Sequence, residues 1–282
     1  MNRPPAPMDK PLTYPGHTRP GSYLFDGHGS PDLDISAGRR LGQARIRWAQ
    51  ETVGGEPTYV NLNRYLLEVN AITVDHRFPV MAFGSNASEA QLEKKFVGEP
   101  TVIPVIGASV RGLAVAYSAH VADYGSVPAT LYSMPDMTSP VHVMFVDEGQ
   151  MATLVKSEKN YDLRWLDGDT YPLTLDASGE VLDGCYAFVS KHGVLNLGGQ
   201  PTLMSGIDVG STNLPDENQA AILEEVLKRW NKSHDPQIDD VRSFSNAIRE
   251  GRLDASQVTS WLVDNFSLNA KLGSSSRASE IA

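Results

Sequence analysis

The sequence has little cysteine, no long apolar run and a shortage of positive charge. Among 282 residues there is one cysteine, Cys185, which excludes an intrachain disulfide. No run approaches the roughly eighteen apolar residues of a membrane span, and the first residues lack the apolar core of a signal peptide. The formal net charge of -10 argues against a general nucleic-acid surface. We therefore expect a cytoplasmic protein that contacts neither membrane nor nucleic acid.

Several catalytic motifs are also missing. The sequence contains no G-x-S-x-G nucleophile elbow, no phosphate-binding GKS or GKT, and no G-x-G-x-x-G after a strand. Its seven histidines and one cysteine are scattered, and none has the spacing of zinc ligands. These absences disfavour a serine hydrolase, a nucleotide enzyme and a metalloenzyme, so neither metal nor cofactor is expected.

The composition, 41% hydrophobic and 21% charged, is typical of a globular protein with an ample core. Proline and glycine are concentrated in residues 1–35, which predicts an extended arm outside the core. We expect a helical extension over 36–78, with helices at 36–52 and 57–70, and a C-terminal helical segment over 211–270 that begins at Pro215. Residues 271–282 are polar and predict a disordered tail.

The first predicted helix carries four arginines, which make it the most basic stretch of an acidic chain. They are Arg39, Arg40, Arg45 and Arg47. Such a run is most often a solvated face that pairs with the protein's own acids. The alternative is a docking surface for an acidic partner.

The middle of the chain is rich in short apolar segments, at 101–106, 112–117, 129–134 and 141–146, separated by glycine and proline. Together with one early helix they predict an α+β fold with a small mixed β-barrel over 79–210. His120 follows one of these strands, where it could carry a proton, although a hydrogen-bonded structural histidine is the commoner case.

A strand–turn–helix unit begins this middle region. Residues 80–83 form a short apolar strand, and Gly84, Ser85 and Asn86 follow as a turn before a helix. Gly84 allows close approach of a ligand, and donors at a helix entrance favour an anion such as a carboxylate. Ser88 and Gln91 have the spacing of a capping box. The alternative is a plain tight turn without a ligand.

A second helix is predicted from Asp147, its N-cap, to residue 160. Met151, Leu154, Val155 and Glu158 fall on one face of this helix. A carboxylate that ends an apolar stripe should point inward and lose solvent, as a general acid or base does. The alternative is a glutamate that turns outward at the last helical turn.

Four segments in this order resemble the gamma-glutamylcyclotransferase-like superfamily. They are residues 81–86 (MAFGSN), 112–117 (GLAVAY), 127–131 (VPATL) and 151–161, which contains Glu158. The resemblance covers about residues 80–166 and implies a barrel of that type, without a cofactor. One departure is Phe83, which stands where the family usually has tyrosine.

The resemblance implies that a γ-glutamyl amide, as a small-molecule substrate, cyclises to 5-oxoproline and releases an amine. It assigns proton transfer to Glu158 and substrate binding to the turn. Three further residues are candidates for an accessory role in the site. The binding residues are Phe83, Gly84, Ser85 and Asn86, and the accessory candidates are Tyr117, His120 and Tyr161. Two alternatives remain, a non-catalytic binding protein on the same barrel and a related acyl-transfer or deprotection enzyme. The sequence leaves the oligomeric state open.

Overall fold

A computed structural model describes residues 4–27, 29–53, 56–204 and 216–273. The strands are β1 (Tyr23–Phe25), β2 (Leu33–Asp34), β3 (Arg45–Val53), β4 (Glu56–Asn61), β5 (Phe78–Ala82), β6 (Ile103–Tyr117), β7 (Ala129–Val146), β8 (Tyr161–Asp167), β9 (Leu173–Leu175), β10 (Val181–Leu182), β11 (Gly184–Ser190), β12 (Val194–Leu195), β13 (Leu203–Met204), β14 (Asp216–Glu217) and β15 (Ser267–Leu268). The helices are α1 (Leu62–Glu68), α2 (Glu89–Lys95), α3 (Glu148–Ser157), α4 (Gln219–Trp230), α5 (Val241–Arg249) and α6 (Ala255–Phe266).

The main sheet is a curled half-barrel with strand order β10-β9-β6-β7-β5-β11-β8. Neighbouring strands in this path are antiparallel except β5 and β11, which run parallel. The α+β class predicted from the sequence is therefore confirmed, while the finer barrel type remains a prediction. Both faces of β6 are covered by other elements, since 13 of its 15 residues are buried.

Two long strands replace four predicted short ones. The segments predicted at 101–106 and 112–117 belong to one strand, β6, and those at 129–134 and 141–146 to another, β7. The pairing register shifts between Arg111 and Leu113, where Gly112 has a φ of 84°. Glycine therefore marks a bulge inside a continuous strand and does not end it.

The N-terminal arm is part of the core, contrary to the prediction. Strand β1 pairs antiparallel with β6, and its residues Tyr23, Leu24 and Phe25 are at most 1% exposed. Burial of the apolar surface of these three consecutive large side chains is favourable enough to hold the segment against the sheet, despite the surrounding proline and glycine.

The predicted helix at 36–52 is wrong, because β2, β3 and β4 form a separate antiparallel sheet there. Ile46 is buried, while its neighbour Arg45 points outward and pairs with Asp34. This alternation has the period of a strand and not of a helix. The helix predicted at 57–70 is shortened to α1, whose N-cap Asn61 accepts hydrogen bonds from the amides of Asn63 and Arg64.

Three helices form the C-terminal segment, as the sequence predicted. The apolar face of α4 includes Ile222, Leu223 and Val226, and it packs in the same core as residues of the main sheet. Pro215, the predicted start of this segment, lies outside the described residues. In the part of the chain that the structure describes, no helix is long and apolar enough to span a bilayer.

Part of the predicted tail is tied to the body. Gly273 donates its amide N–H to the hydroxyl of Tyr171 at 3.1 Å, and its carbonyl accepts from Arg164 at 2.7 Å. The carbonyl of Ala270 accepts a hydrogen bond from the amide of Ser133 at 3.0 Å. The prediction of disorder from residue 271 is therefore wrong as far as Gly273, and residues 274–282 lie outside the described ranges.

Candidate active site

The turn after β5 has the predicted place between a strand and a helix. Ser85–Ala87 form one turn of 3-10 helix, closed by hydrogen bonds from the amide of Ala87 to Gly84 and from that of Ser88 to Ser85. Helix α2 then begins at Glu89. The strand–turn–helix prediction is therefore confirmed as local structure.

The predicted capping box at the start of α2 is wrong. Ser88 holds the N-cap position, but its side chain makes no capping hydrogen bond. Gln91 lines a cavity beside the turn, and its Oε1 atom is buried without a hydrogen-bond partner. Because the Gln91 side chain faces this cavity, it does not reach back to the N-cap.

Glu158 lies at the C-cap of α3, and its carboxylate is directed inward as the apolar stripe predicted. The helix begins with a capping box between Asp147 and Gln150, which confirms the predicted N-cap. The Glu158 side chain is 14% exposed, and its Oε1 atom accepts a hydrogen bond from Nδ2 of Asn86 at 3.0 Å. The turn and the glutamate are thus in direct contact.

Lys95 forms an ion pair with Glu158, which the apolar stripe did not predict. Its side chain is 9% exposed, and its ammonium group also donates to Oγ of Ser157 at 3.0 Å. Lys95 follows Gln91 by one turn on α2, so both side chains lie on the same face of that helix. The carboxylate therefore has two nitrogen partners in the wall of the cavity.

Asn86, Lys95 and Glu158 lie together in the wall of a cavity of about 600 Å³. It brings together seven of the eight residues that the sequence nominated, namely Phe83, Gly84, Ser85, Asn86, His120, Glu158 and Tyr161. Tyr117 is not part of its wall; that side chain is 1% exposed on β6, within the hydrophobic core. The size suits a small molecule whose surface is largely enclosed.

Tyr14, from the N-terminal arm, is a wall residue that the sequence did not reveal. Its hydroxyl accepts a hydrogen bond from the amide of Ala129 at 2.9 Å. An ideal Cβ built on Gly84 would lie 2.5 Å from this hydroxyl. The absence of a side chain at Gly84 therefore admits Tyr14, and not the ligand carboxylate that the sequence predicted.

Two further phenols lie beside Tyr14 in the cavity wall. Tyr161 donates to the carbonyl of Ala129 at 2.9 Å, so the N–H and the C=O of one residue each hold a tyrosine. Burial raises the pKa of Tyr124 to about 12, while the hydroxyls of Ser126 and Ser85 oppose that shift. Burial also raises the pKa of Tyr14 and of Tyr161. All three phenols are therefore protonated at neutral pH.

His120 is buried in a network of hydroxyl groups. Its Nδ1 lies 2.6 Å from Oγ of Ser118, which donates to Oγ of Ser190 at 2.6 Å. Burial, and then the neighbouring His192, lower the pKa of His120 to about 3. The imidazole is therefore neutral at physiological pH, and its role as a proton carrier stays a prediction.

Basic side chains outnumber acidic ones in the cavity wall, although the protein is acidic overall. Beside Lys95 and Glu158, the wall contains Lys94, Lys159, Arg249 and one further acid, Asp123, and Lys94 pairs with Asp9 of the N-terminal arm at 2.7 Å. Arg249 donates to the backbone carbonyl of Asp9 at 3.3 Å. A basic cavity wall on an acidic protein attracts an anionic ligand locally.

Sequence reasoning missed Lys95, because a lysine near the end of a short amphipathic helix normally lies in solvent. Its position three residues after Leu92, which is fully buried, was the one local signal. Tyr14 had no local signal, since its partner Ala129 is 115 positions away.

Among the described residues, no group of three or more histidine, cysteine, aspartate or glutamate side chains could hold a metal ion. Comparison of the chain with protein-family models, with curated proteins and with solved structures found no match in any of the three.

Proposed function

We propose that this chain is a gamma-glutamylcyclotransferase-like enzyme, which cyclises a γ-glutamyl amide and releases 5-oxoproline with an amine. The observation that carries the proposal is the Glu158 carboxylate, which contacts Asn86 of the Gly84–Asn86 turn in the wall of a cavity of about 600 Å³. A carboxylate at this place can serve both proton transfers of the reaction.

In the proposed reaction, Glu158 takes a proton from the substrate's α-ammonium group. The freed amine attacks the γ-carbonyl carbon of the same molecule, and a new carbon–nitrogen bond closes the five-membered ring. The proton on Glu158 passes to the leaving nitrogen as its bond to the carbonyl carbon breaks. Glu158 then takes the second proton from the ring nitrogen, which leaves a neutral lactam, and passes it to the released amine. The reacting groups belong to one molecule, so folding it correctly in the cavity supplies much of the acceleration.

The Lys95–Glu158 pair is the charge complement of an α-amino acid head group. In the complex, the substrate's ammonium group would contact Glu158 and its α-carboxylate would contact Lys95. Both protein charges would then stay paired, which matters because their side chains are only 9% and 14% exposed. This assigns the carboxylate to Lys95 instead of to the space at Gly84, where the Tyr14 hydroxyl lies.

Two unpartnered oxygen atoms in the same wall support an ammonium-bearing ligand. Oδ1 of Asn86 and Oε1 of Gln91 are both buried and without a hydrogen-bond partner. Such acceptors carry a free-energy cost unless a ligand or water supplies a donor. The substrate's ammonium and amide N–H groups are donors of that kind.

The test is release of 5-oxoproline from γ-glutamyl compounds that differ in their leaving amine. The purified protein should release it from at least one of them, and Glu158→Gln should lose that activity while it stays folded. If the folded parent protein released 5-oxoproline from none of these compounds, the proposal would be contradicted.

One observation favours the non-catalytic alternative, a binding protein on the same fold. Glu158 is already held in an ion pair with Lys95, and this pair could recognise an amino acid head group without any proton transfer. A binding protein would retain γ-glutamyl compounds in the cavity without any 5-oxoproline. The sequence predicted a helix with four arginines as a docking surface for an acidic partner. In the structure that surface would not be helical, because Arg45 lies on strand β3.

A further inference from the structure

The hydroxyl oxygen of Tyr14 accepts a hydrogen bond from the backbone N–H of Ala129 at 2.9 Å. A phenol oxygen also carries one hydrogen, so an amide N–H that faces the oxygen leaves the O–H as a donor. Among the described residues, this hydroxyl donates no hydrogen bond of its own.

The ring of Tyr14 is held rigidly behind this hydroxyl. The residue is 6% exposed and belongs to the main hydrophobic core, and its hydroxyl lies over the bare Cα of Gly84. Tyr14 lies in the wall of the cavity, together with Glu158. A donor fixed in this way costs no reorganisation when charge develops on a neighbouring atom.

We propose that Tyr14 is a further catalytic residue, whose hydroxyl donates a hydrogen bond to the γ-carbonyl oxygen of the substrate. That the acceptor is a γ-carbonyl rests on the proposed function, whereas the presence of a hydrogen-bond donor at Tyr14 does not depend on it. No proton leaves Tyr14, and the hydrogen bond shortens as the carbonyl oxygen becomes negative in the tetrahedral intermediate. The amide of Ala129 polarises the phenol and so strengthens it as a donor.

The competing interpretation is that Tyr14 blocks the Ala129 amide, which would otherwise bind the oxyanion directly. The two interpretations differ in the sign of one measurement. If Tyr14 is the donor, its hydroxyl speeds the reaction, whereas a blocking hydroxyl would slow it.

The experiment compares Tyr14→Phe with Tyr23→Phe in turnover of the best γ-glutamyl substrate. Tyr23 is a matched control, because it is a buried phenol of the same arm whose hydroxyl lies 3.4 Å from the carbonyl of Ala87, away from the cavity. Tyr14→Phe should lower kcat by roughly 10²–10³, the usual effect of removing an oxyanion donor, with KM changed only a few-fold. Tyr23→Phe should turn over as the parent does. An unchanged or higher kcat in Tyr14→Phe would overturn the proposal.

A second measurement is independent of turnover and of the folding of any variant. The parent protein, with tyrosine labelled by ¹³C at Cζ and assigned sequentially, is titrated with acetamide, a neutral carbonyl probe. The Tyr14 resonance should move with acetamide while that of Tyr23 stays in place. A Tyr14 resonance that does not respond would refute the donor role. If the parent releases no 5-oxoproline but Tyr14 responds to acetamide, the cyclotransferase proposal fails and the donor site stands.

Discussion

Asn86 donates a side-chain N–H to Oε1 of Glu158 at 3.0 Å, although 72 positions separate the two residues in the chain. The contact joins the turn after β5 to the end of α3. Both elements flank strands of the main sheet, so the sheet fixes the distance between them. The Asn86 amide therefore orients the carboxylate, while Lys95 neutralises it through the same oxygen atom.

The first prediction concerns Glu158→Gln, which keeps the acceptor for Asn86 but cannot take a proton. Turnover should fall by roughly 10²–10⁴, the usual contribution of general acid–base catalysis. The free energy of unfolding should also fall, by about 1–3 kcal/mol, because Lys95 loses its anionic partner in a site with little solvent. An apolar stripe alone predicts an unpaired carboxylate and a slight stabilisation, so the ion pair reverses the expected sign.

The double variant Lys95→Met, Glu158→Gln provides the control for this ion pair. With both charges removed, the loss of stability should be smaller than the sum of the two single losses. Urea unfolding of the parent and the three variants gives the coupling. Strict additivity of the single losses would show that the ion pair contributes nothing to stability.

The second prediction concerns the C-terminal residues. A chain that ends at Gly273 keeps the hydrogen bonds with Tyr171 and Arg164, so its melting temperature should stay within a degree or two of the parent's. A chain that ends at Asn269 also loses the contact between Ala270 and Ser133 and should melt roughly 4–8 °C lower. Equal melting temperatures for the two truncated chains would contradict this assignment of contacts.

Elements with a strong local pattern were predictable from the sequence. The faces of α4, α5 and α6 follow from apolar spacing, and the N-cap Asp147 of α3 follows from its side chain. The apolar stripe predicted for α3 was wrong at Val155, which is 45% exposed. The strand–turn–helix unit at Gly84 was predictable for the same reason. Each of these features depends on residues within one or two turns of the chain.

Features that depend on distant partners were not predictable. The local sequence at Arg45 and Ile46 is compatible with either a helix or a strand, and the strand forms because β4 provides a pairing partner. Tyr14 and Lys95 come into the cavity through packing against elements far along the sequence. The candidate site was therefore foreseen as a turn and a carboxylate, whereas its phenols and its ammonium group were not.

The third prediction concerns the contact between Gly84 and Tyr14. Gly84→Ala places a methyl group where the Tyr14 hydroxyl lies, so it should destabilise the protein. In a Tyr14→Phe background the same change should cost less, because the obstructing hydroxyl is gone and the nearest ring carbon is 3.6 Å away. The coupling should be on the order of 0.5–3 kcal/mol in a double-mutant cycle.

Gly198→Ala is the matched control for this cycle. Gly198 has no atom within 4 Å of an added Cβ, so alanine there should leave stability almost unchanged. Chemical denaturation of all five proteins measures these free energies. A Gly84→Ala cost that is the same in both backgrounds would mean that another neighbour, such as Ala129, causes it.

The fourth prediction concerns the pH dependence of stability that arises from His120. Its pKa is lowered from 6.5 to about 3 in the folded protein, chiefly by burial. Below pH 6.5 the unfolded chain binds a proton at this residue and the folded protein does not. His120 therefore stabilises the folded state fully above pH 6.5, and this contribution is lost as the pH falls towards 3.

His120→Gln should remove this dependence, and His76→Gln, at an exposed histidine, is its control. Between pH 6 and pH 4 the free energy of unfolding of the parent should fall more steeply than that of His120→Gln, by up to about 1.4 kcal/mol per pH unit. His76→Gln should keep the slope of the parent, because an exposed imidazole has similar surroundings in both states. Urea unfolding at a series of pH values measures the three slopes. Parallel curves for the parent and His120→Gln would mean that His120 takes up its proton in the folded protein as readily as in the unfolded chain.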